Sequence, residues 1–294
     1  MREGFDRALR NVLIHEGGKV DNPRDPGGRT NQGVTKRTYD AFRTRRGLQS
    51  RDVFAMVAQE RDAVYREQYW NAVRGDALPP GLDYVLFDGA VNSGPSQSVK
   101  WLQRGLGSRY GGQIDGMIGN VTLAAVEAHP NHDALIRAIC DRRLAFLKAL
   151  STWRTFGNGW SARVAAVKVT GQAWAMGDAG PEVHYVLNGE AKALIEDATP
   201  QPNRGVADAI TGAGGAQAAL AQAADQLTPM AASSEWIARI VTLLTVAGVL
   251  CFAGGLLWRA WASRRADERA DVLDLSPVNT GAAWNTPRPQ VAAG

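Results

Sequence analysis

The chain has 294 residues, 45% of them hydrophobic, which is enough for one or two domains with a real core and too much for a wholly disordered protein. Its 33 Lys and Arg against 29 Asp and Glu leave a net charge of +4 spread along the sequence, a balance that suits an acidic surface such as cell wall or anionic lipid and argues against nucleic acid as a partner. The two cysteines, Cys140 and Cys251, are far apart, and the four histidines have no ligand spacing, so neither a disulfide framework nor a metal site is expected.

In chain order, residues 1–10 carry charges throughout and lack the apolar stretch of a secretory signal. Helical spacing then predicts helices over 3–15, 51–70, 81–93, 96–106, 120–128, 132–150 and 157–176, joined by Gly, Pro and Asn turns. Period-two alternation is nearly absent, so the fold is expected to be mainly α with few strands. Residues 179–234 are rich in Ala, Gln, Gly and Pro and read as a low-complexity linker. The uncharged run 240–258 has the length of a bilayer span, with Trp236 and Trp258 as interfacial anchors. One transmembrane helix, 235–258, is therefore expected, followed by a disordered tail, 259–294. Arg259, Arg264, Arg265 and Arg269 on its far side, against Arg239 alone on the near side, place the tail in the cytoplasm and the preceding domain toward periplasm or cell wall.

Phe5, Leu9, Val12 and Leu13 form one stripe of the first helix, and Glu16 projects onto the middle of it. Gly17 and Gly18 follow and can end the helix. A carboxyl group placed on a core-facing surface at the negative end of a helix dipole is expected to hold its proton more tightly than a free glutamate. Glycoside cleavage requires such an acid. The turn-rich run after it, DNPRDPGGRTNQGVT from Asp21 to Thr35, reads as one wall of a cleft. A solvated helix-end glutamate is the plainer alternative.

The string His15 to Thr35, HEGGKVDNPRDPGGRTNQGVT, resembles the signature of the glycoside hydrolase family 108 muramidases, endolysin-like and secretion-associated enzymes with a lysozyme-like helical fold. The resemblance implies that Glu16 is the catalytic acid. A second stretch, FDGAVNSGPSQSVKWLQ from Phe87, with IDGMIGNVTLAAV from Ile114 and RRLAFLKAL from Arg142, resembles the peptidoglycan-binding region that follows the catalytic part in that family. The implied layout is a lysozyme-like catalytic region at 1–85 and a helical peptidoglycan-binding region at 86–178. Lys19 departs from the pattern, because the family usually has an aromatic residue there.

Asp25 lies nine residues after Glu16, the separation of the two carboxylates in phage-type lysozymes, and Thr30 and Asn31 fall where those enzymes position water. Asp25 could equally shape the turn before Pro26 and Gly27. Asp88 and Asn92, four apart on a helix, share a face that lines the cleft or is simply solvated. Thr35 is a sugar contact or a backbone partner, and Trp70 is the tryptophan preferred for sugar stacking, with core packing as the alternative. These readings describe an N-acetylmuramidase that needs no cofactor and acts on peptidoglycan glycan strands while anchored in a membrane by its C-terminal helix. A lytic transglycosylase and a non-catalytic wall-binding anchor are the rivals.

Overall fold

In the computed structural model, the described residues are 2–21, 29–180, 192–199, 222, 225–226 and 235–275. They divide between two compact units, Met1–Thr199 and Pro200–Gly294.

The first unit is mainly helical. Helix α1, Arg2–His15, stops where Gly17 and Gly18 remove the preference for helical backbone. Three two-residue strands follow: β1 Lys19–Val20, β2 Thr30–Asn31 and β3 Val34–Thr35. They pair antiparallel in the order β1-β2-β3, with Lys19 opposite Asn31 and Asn31 opposite Val34. The β2–β3 loop is only Gln32 and Gly33, at φ 47° and 75°, the two left-handed positions of a type I′ turn.

Helix α2, Lys36–Arg45, is capped by the Thr35 side chain, whose Oγ1 accepts from the Thr38 N–H at 3.2 Å. Its many charges hide an apolar face of Tyr39 and Phe42, both buried. The single helix expected over 51–70 is broken. A 3₁₀ turn at Val53–Ala55 leads through extended Val57 into α3, Ala58–Tyr65, which runs on as a π turn at Arg66–Trp70.

Helix α4, Leu82–Ser93, has every residue buried and is the axis of the unit. Packed with it are α5 Pro95–Gly105, α7 His132–Lys148 and α8 Trp153–Ala175, while α6 Asn120–Glu127 lies between α5 and α7 in sequence. On the α1 side, the rings of Phe5, Trp70 and Phe87 meet edge to face or tilted at 5.4–5.8 Å, joining α1, the π turn and α4 in one aromatic cluster.

Residues 192–199, within the stretch expected to be linker, fold back on this unit. Leu150 and Ala198 form an antiparallel bridge, and the Ser151 N–H donates to Asp197 O at 2.8 Å.

In the second unit, helix α9, Glu235–Val272, contains the apolar run expected to span a bilayer. The helix continues past that run through Arg259, Arg264, Arg265, Asp267, Glu268 and Arg269. Among the described residues, no helix is long and apolar enough to cross a membrane. This overturns the expected transmembrane helix, together with the single-pass localisation and the membrane partner that rested on it. Most of the expected tail, residues 276–294, lies outside the described residues.

Candidate active site

Glu16 is the first residue beyond α1, and its side chain is only 4% exposed. Two cations hold it. Arg163 of α8 donates to Oε1 through Nη1 and Nη2 at 3.3 and 3.2 Å, and Lys192 donates to Oε2 at 3.1 Å.

Arg163 turns its other edge to Asp88 of α4. Its Nε lies 3.1 Å from both carboxylate oxygens, and its Nη2 lies 2.9 Å from Oδ2. Arg143 of α7 completes the cluster, donating to Asp88 Oδ1 at 2.6 Å and to Asn92 Oδ1 at 3.4 Å. The result is an alternating chain of Arg143, Asp88, Arg163, Glu16 and Lys192. Buried charges survive only when matched this way, because an unpaired one costs several kcal/mol, roughly 3–5 on removal of its partner.

The same chain decides protonation. Burial pushes the Glu16 carboxyl upward, but the fields of Lys192 and Arg163 and the hydrogen bond from Lys192 more than offset it. Its pKa therefore lies below the ordinary glutamate value, the reverse of the sequence expectation. The reason is the pair of cations, both distant in sequence. For Asp88, burial likewise acts upward and is overcome by Arg163 and Arg143, so it stays ionised. His15, 1% exposed, is pushed down to about 4 mainly by burial and is neutral near pH 7.

The β2–β3 turn closes over Glu16. A methyl group placed on Gly33 would overlap Glu16 Oε2 and the Tyr65 hydroxyl and stand 3.0 Å from Glu16 Cδ, so glycine is required for contact as well as for φ. Tyr65 fixes this turn by donating its hydroxyl to Gln32 O at 2.9 Å, and Arg61 Nη1 holds the Gln32 side chain at 2.9 Å. Burial raises the Tyr65 hydroxyl well above its usual range and the neighbouring Tyr69 to about 12, so both keep their protons.

The remaining expected residues have other occupations. Asp25 lies outside the described residues. Thr30 is half-buried in β2. Asn31 is 6% exposed and donates to Val53 O at 3.0 Å, while Thr35 serves as the α2 cap. Asp88 and Asn92 do share a face, but it points into the core toward Arg143, and neither is solvated. Trp70 is 1% exposed, its rings packed on Phe5 and Phe87 and its Nε1 donating to Asp76 at 3.0 Å, so it offers no face to a sugar.

With this geometry, the similarities to known proteins can be placed. Residues 9–94 match the family model described as Glycosyl hydrolase 108, and residues 97–165 match a predicted peptidoglycan domain. A solved structure of SagA from Brucella abortus is 41% identical over 60% of this chain and 97% of its own, with a TM-score of 0.51. The chain belongs to the glycosyl hydrolase 108 family. No curated protein matches it. As a glycosyl hydrolase 108 protein it is a glycoside hydrolase acting on peptidoglycan, and its second matched region supports peptidoglycan as its partner. Glu16, Gly33, Tyr65 and Asp88 all fall within the glycosyl hydrolase 108 match, Arg143 and Arg163 within the peptidoglycan match, and Lys192 beyond both.

Sequence reasoning missed Gly33, Tyr65, Arg143, Arg163 and Lys192. A two-residue turn ending in glycine between Asn31 and Val34 is a readable hairpin signal, and Arg163 stands among the apolar residues of a helix that was expected. Lys192 has no signal, since it lies in the stretch read as linker.

Proposed function

We propose that this protein is an N-acetylmuramidase that cleaves the β-1,4 bond between N-acetylmuramic acid and N-acetylglucosamine, with Glu16 as general acid. The observation that carries the reading is a carboxyl group, 4% exposed, seated at the end of α1 under a glycine turn within the glycosyl hydrolase 108 match.

In the step proposed, Glu16 gives its proton to the bridging oxygen as the C1–O bond breaks and the electron pair stays with that oxygen. Water then adds to C1 and loses a proton to a base. Asp88 does not fill the second carboxylate's role, being fully buried behind Arg163 and Arg143. We assign that role to Asp25, which either stabilises the oxocarbenium-like state or activates water. Thr30 is proposed as a glycan contact, whereas Asn31 and Thr35 support the local fold.

Glu16→Gln is expected to lower release of reducing ends from purified peptidoglycan by about 10²–10⁴-fold while binding to the wall persists. Mass spectrometry of the products separates the alternatives. Reducing N-acetylmuramic ends support the proposal, whereas anhydro ends that persist in Asp25→Asn would establish a lytic transglycosylase.

A further inference from the structure

We propose that residues 192–199 are an autoinhibitory strap that holds Lys192 against Glu16, so that the acid is disarmed until the strap leaves the site. The proposal rests on the reading of Glu16 as the general acid and adds its regulation.

The two cations on Glu16 are unlike. Arg163 is 1% exposed and is bound on its other edge to Asp88, so it is built into the core. Lys192 is 32% exposed and reaches Glu16 from a segment beyond both family matches. A general acid must stand within about 2.6–3.2 Å of the oxygen it protonates. Lys192 Nζ sits 3.1 Å from Oε2, where that oxygen would have to come. The ammonium therefore blocks the approach and also favours the carboxylate over the acid.

The strap is attached at its two ends. At one, the Ala193 N–H donates to Asn92 O at 3.0 Å with Ala193 fully buried. At the other, Ser151 N and Oγ both donate to Asp197 O at 2.8 Å, and Thr199 N and Oγ1 donate to Ala149 O at 3.2 and 3.1 Å. Between them, Ile195–Asp197 makes one 3₁₀ turn with no buried residue. Such attachment, a few hydrogen bonds each with a modest net contribution and one small buried side chain, suits a segment that opens without unfolding the helices beneath it. Displacement of the strap would remove one of the two cations that pull the Glu16 proton off, leaving Arg163 to act from the other oxygen.

The test uses the full-length chain, with initial rates of reducing-end release from purified peptidoglycan near about pH 6.5 and a carbon-13 NMR titration of the Glu16 carboxyl. Lys192→Met, which removes the charge, and Ala193→Asp, which loosens the strap, are each expected to raise the rate at least about fivefold, because one pKa unit regained multiplies the protonated fraction by about ten. Both should also move the Glu16 titration upward, whereas Lys192→Arg, which keeps the charge, should leave that titration where it is. An unchanged or lower rate in both loosened variants, or hydrolysis absent from parent and variants alike, refutes the strap as the brake. Hydrolysis that persists in Glu16→Gln/Lys192→Met instead overturns the acid assignment, and with it the inhibitory meaning of the contact.

Discussion

Gly33→Ala is the sharpest probe of how the catalytic wall is built. The residue sits at φ 75°, where an L side chain costs about 1 kcal/mol or somewhat more. Its new methyl would overlap Glu16 Oε2 and the Tyr65 hydroxyl, and relief requires the carboxyl or the turn to move by on the order of 1 Å. Overpacking of this kind typically adds about 1–3 kcal/mol, so a total loss of about 2–4 kcal/mol in unfolding free energy is expected. The effect on rate should be larger than the effect on fold, because a displacement of about 1 Å in a catalytic group costs about 100-fold. Urea denaturation and reducing-end release measure the two quantities on one preparation. Gly18→Ala is the control, since nothing lies within 4 Å of the added methyl and the backbone there is ordinary. A folded Gly33→Ala protein working within about twofold of the parent would refute the inference that the turn holds Glu16 in place.

Three further outcomes follow from the same cluster and its surroundings. Arg163→Met should cost about 3–5 kcal/mol in urea denaturation because it leaves the buried Asp88 and Glu16 each short of a cation, and Arg163→Lys should recover only part, since a point charge does not bridge two carboxylates. Trp70→Ala should lose about 3–5 kcal/mol of stability through the Phe5 and Phe87 contacts, and a folded variant whose only change is weaker glycan binding would argue for sugar stacking after all. Because burial holds His15 near 4 while an unfolded histidine titrates near 6.5, the unfolded chain alone takes up that proton in the interval. Stability from His15 is thus complete above about pH 6.5 and is lost as pH falls toward about 4, by up to roughly 3 kcal/mol. Asp83 acts oppositely, since burial raises it to about 6 and its favourable effect fades as pH rises through that region. Melting temperatures between about pH 4.5 and 6 should therefore vary little in the parent, where the two groups oppose each other, and should fall as pH rises in His15→Phe, which leaves Asp83 alone.

How far the sequence reached depended on whether the deciding neighbours were local. The stripe of Phe5, Leu9, Val12 and Leu13 with Glu16 behind it is written in twelve consecutive residues, and the structure buries Phe5, Leu9, Val12 and the Glu16 side chain and leaves Leu13 half-buried. Helix α2 was missed because its charged residues obscure Tyr39 and Phe42, and because buried Arg43 spends its charge on Glu60. The protonation of Glu16 was read with the wrong sign for a related reason. Burial and helix position are local and both act upward, but the cations that reverse them stand 147 and 176 residues away. The apolar run at 240–258 was read from composition alone, and the helix that contains it does not meet the requirement for a span among the described residues. Asp88 and Asn92 were paired correctly by helical spacing, yet only the complete burial of α4 turns that face inward toward Arg143.

Helix α4 has a consequence for anyone dissecting this enzyme. The two family matches meet at residues 94–97, the corner where α4 ends at Gly94 and α5 begins at Pro95. A cut there looks natural on a sequence map, but it would strip α5, α7 and α8 from a helix that has no solvent face and orphan Asp88 from both arginines. Catalysis and wall recognition are thus not beads on a string. A graft of the recognition half onto another hydrolase would have to carry Leu82–Ser93 with it, and every inward-facing partner of that helix besides.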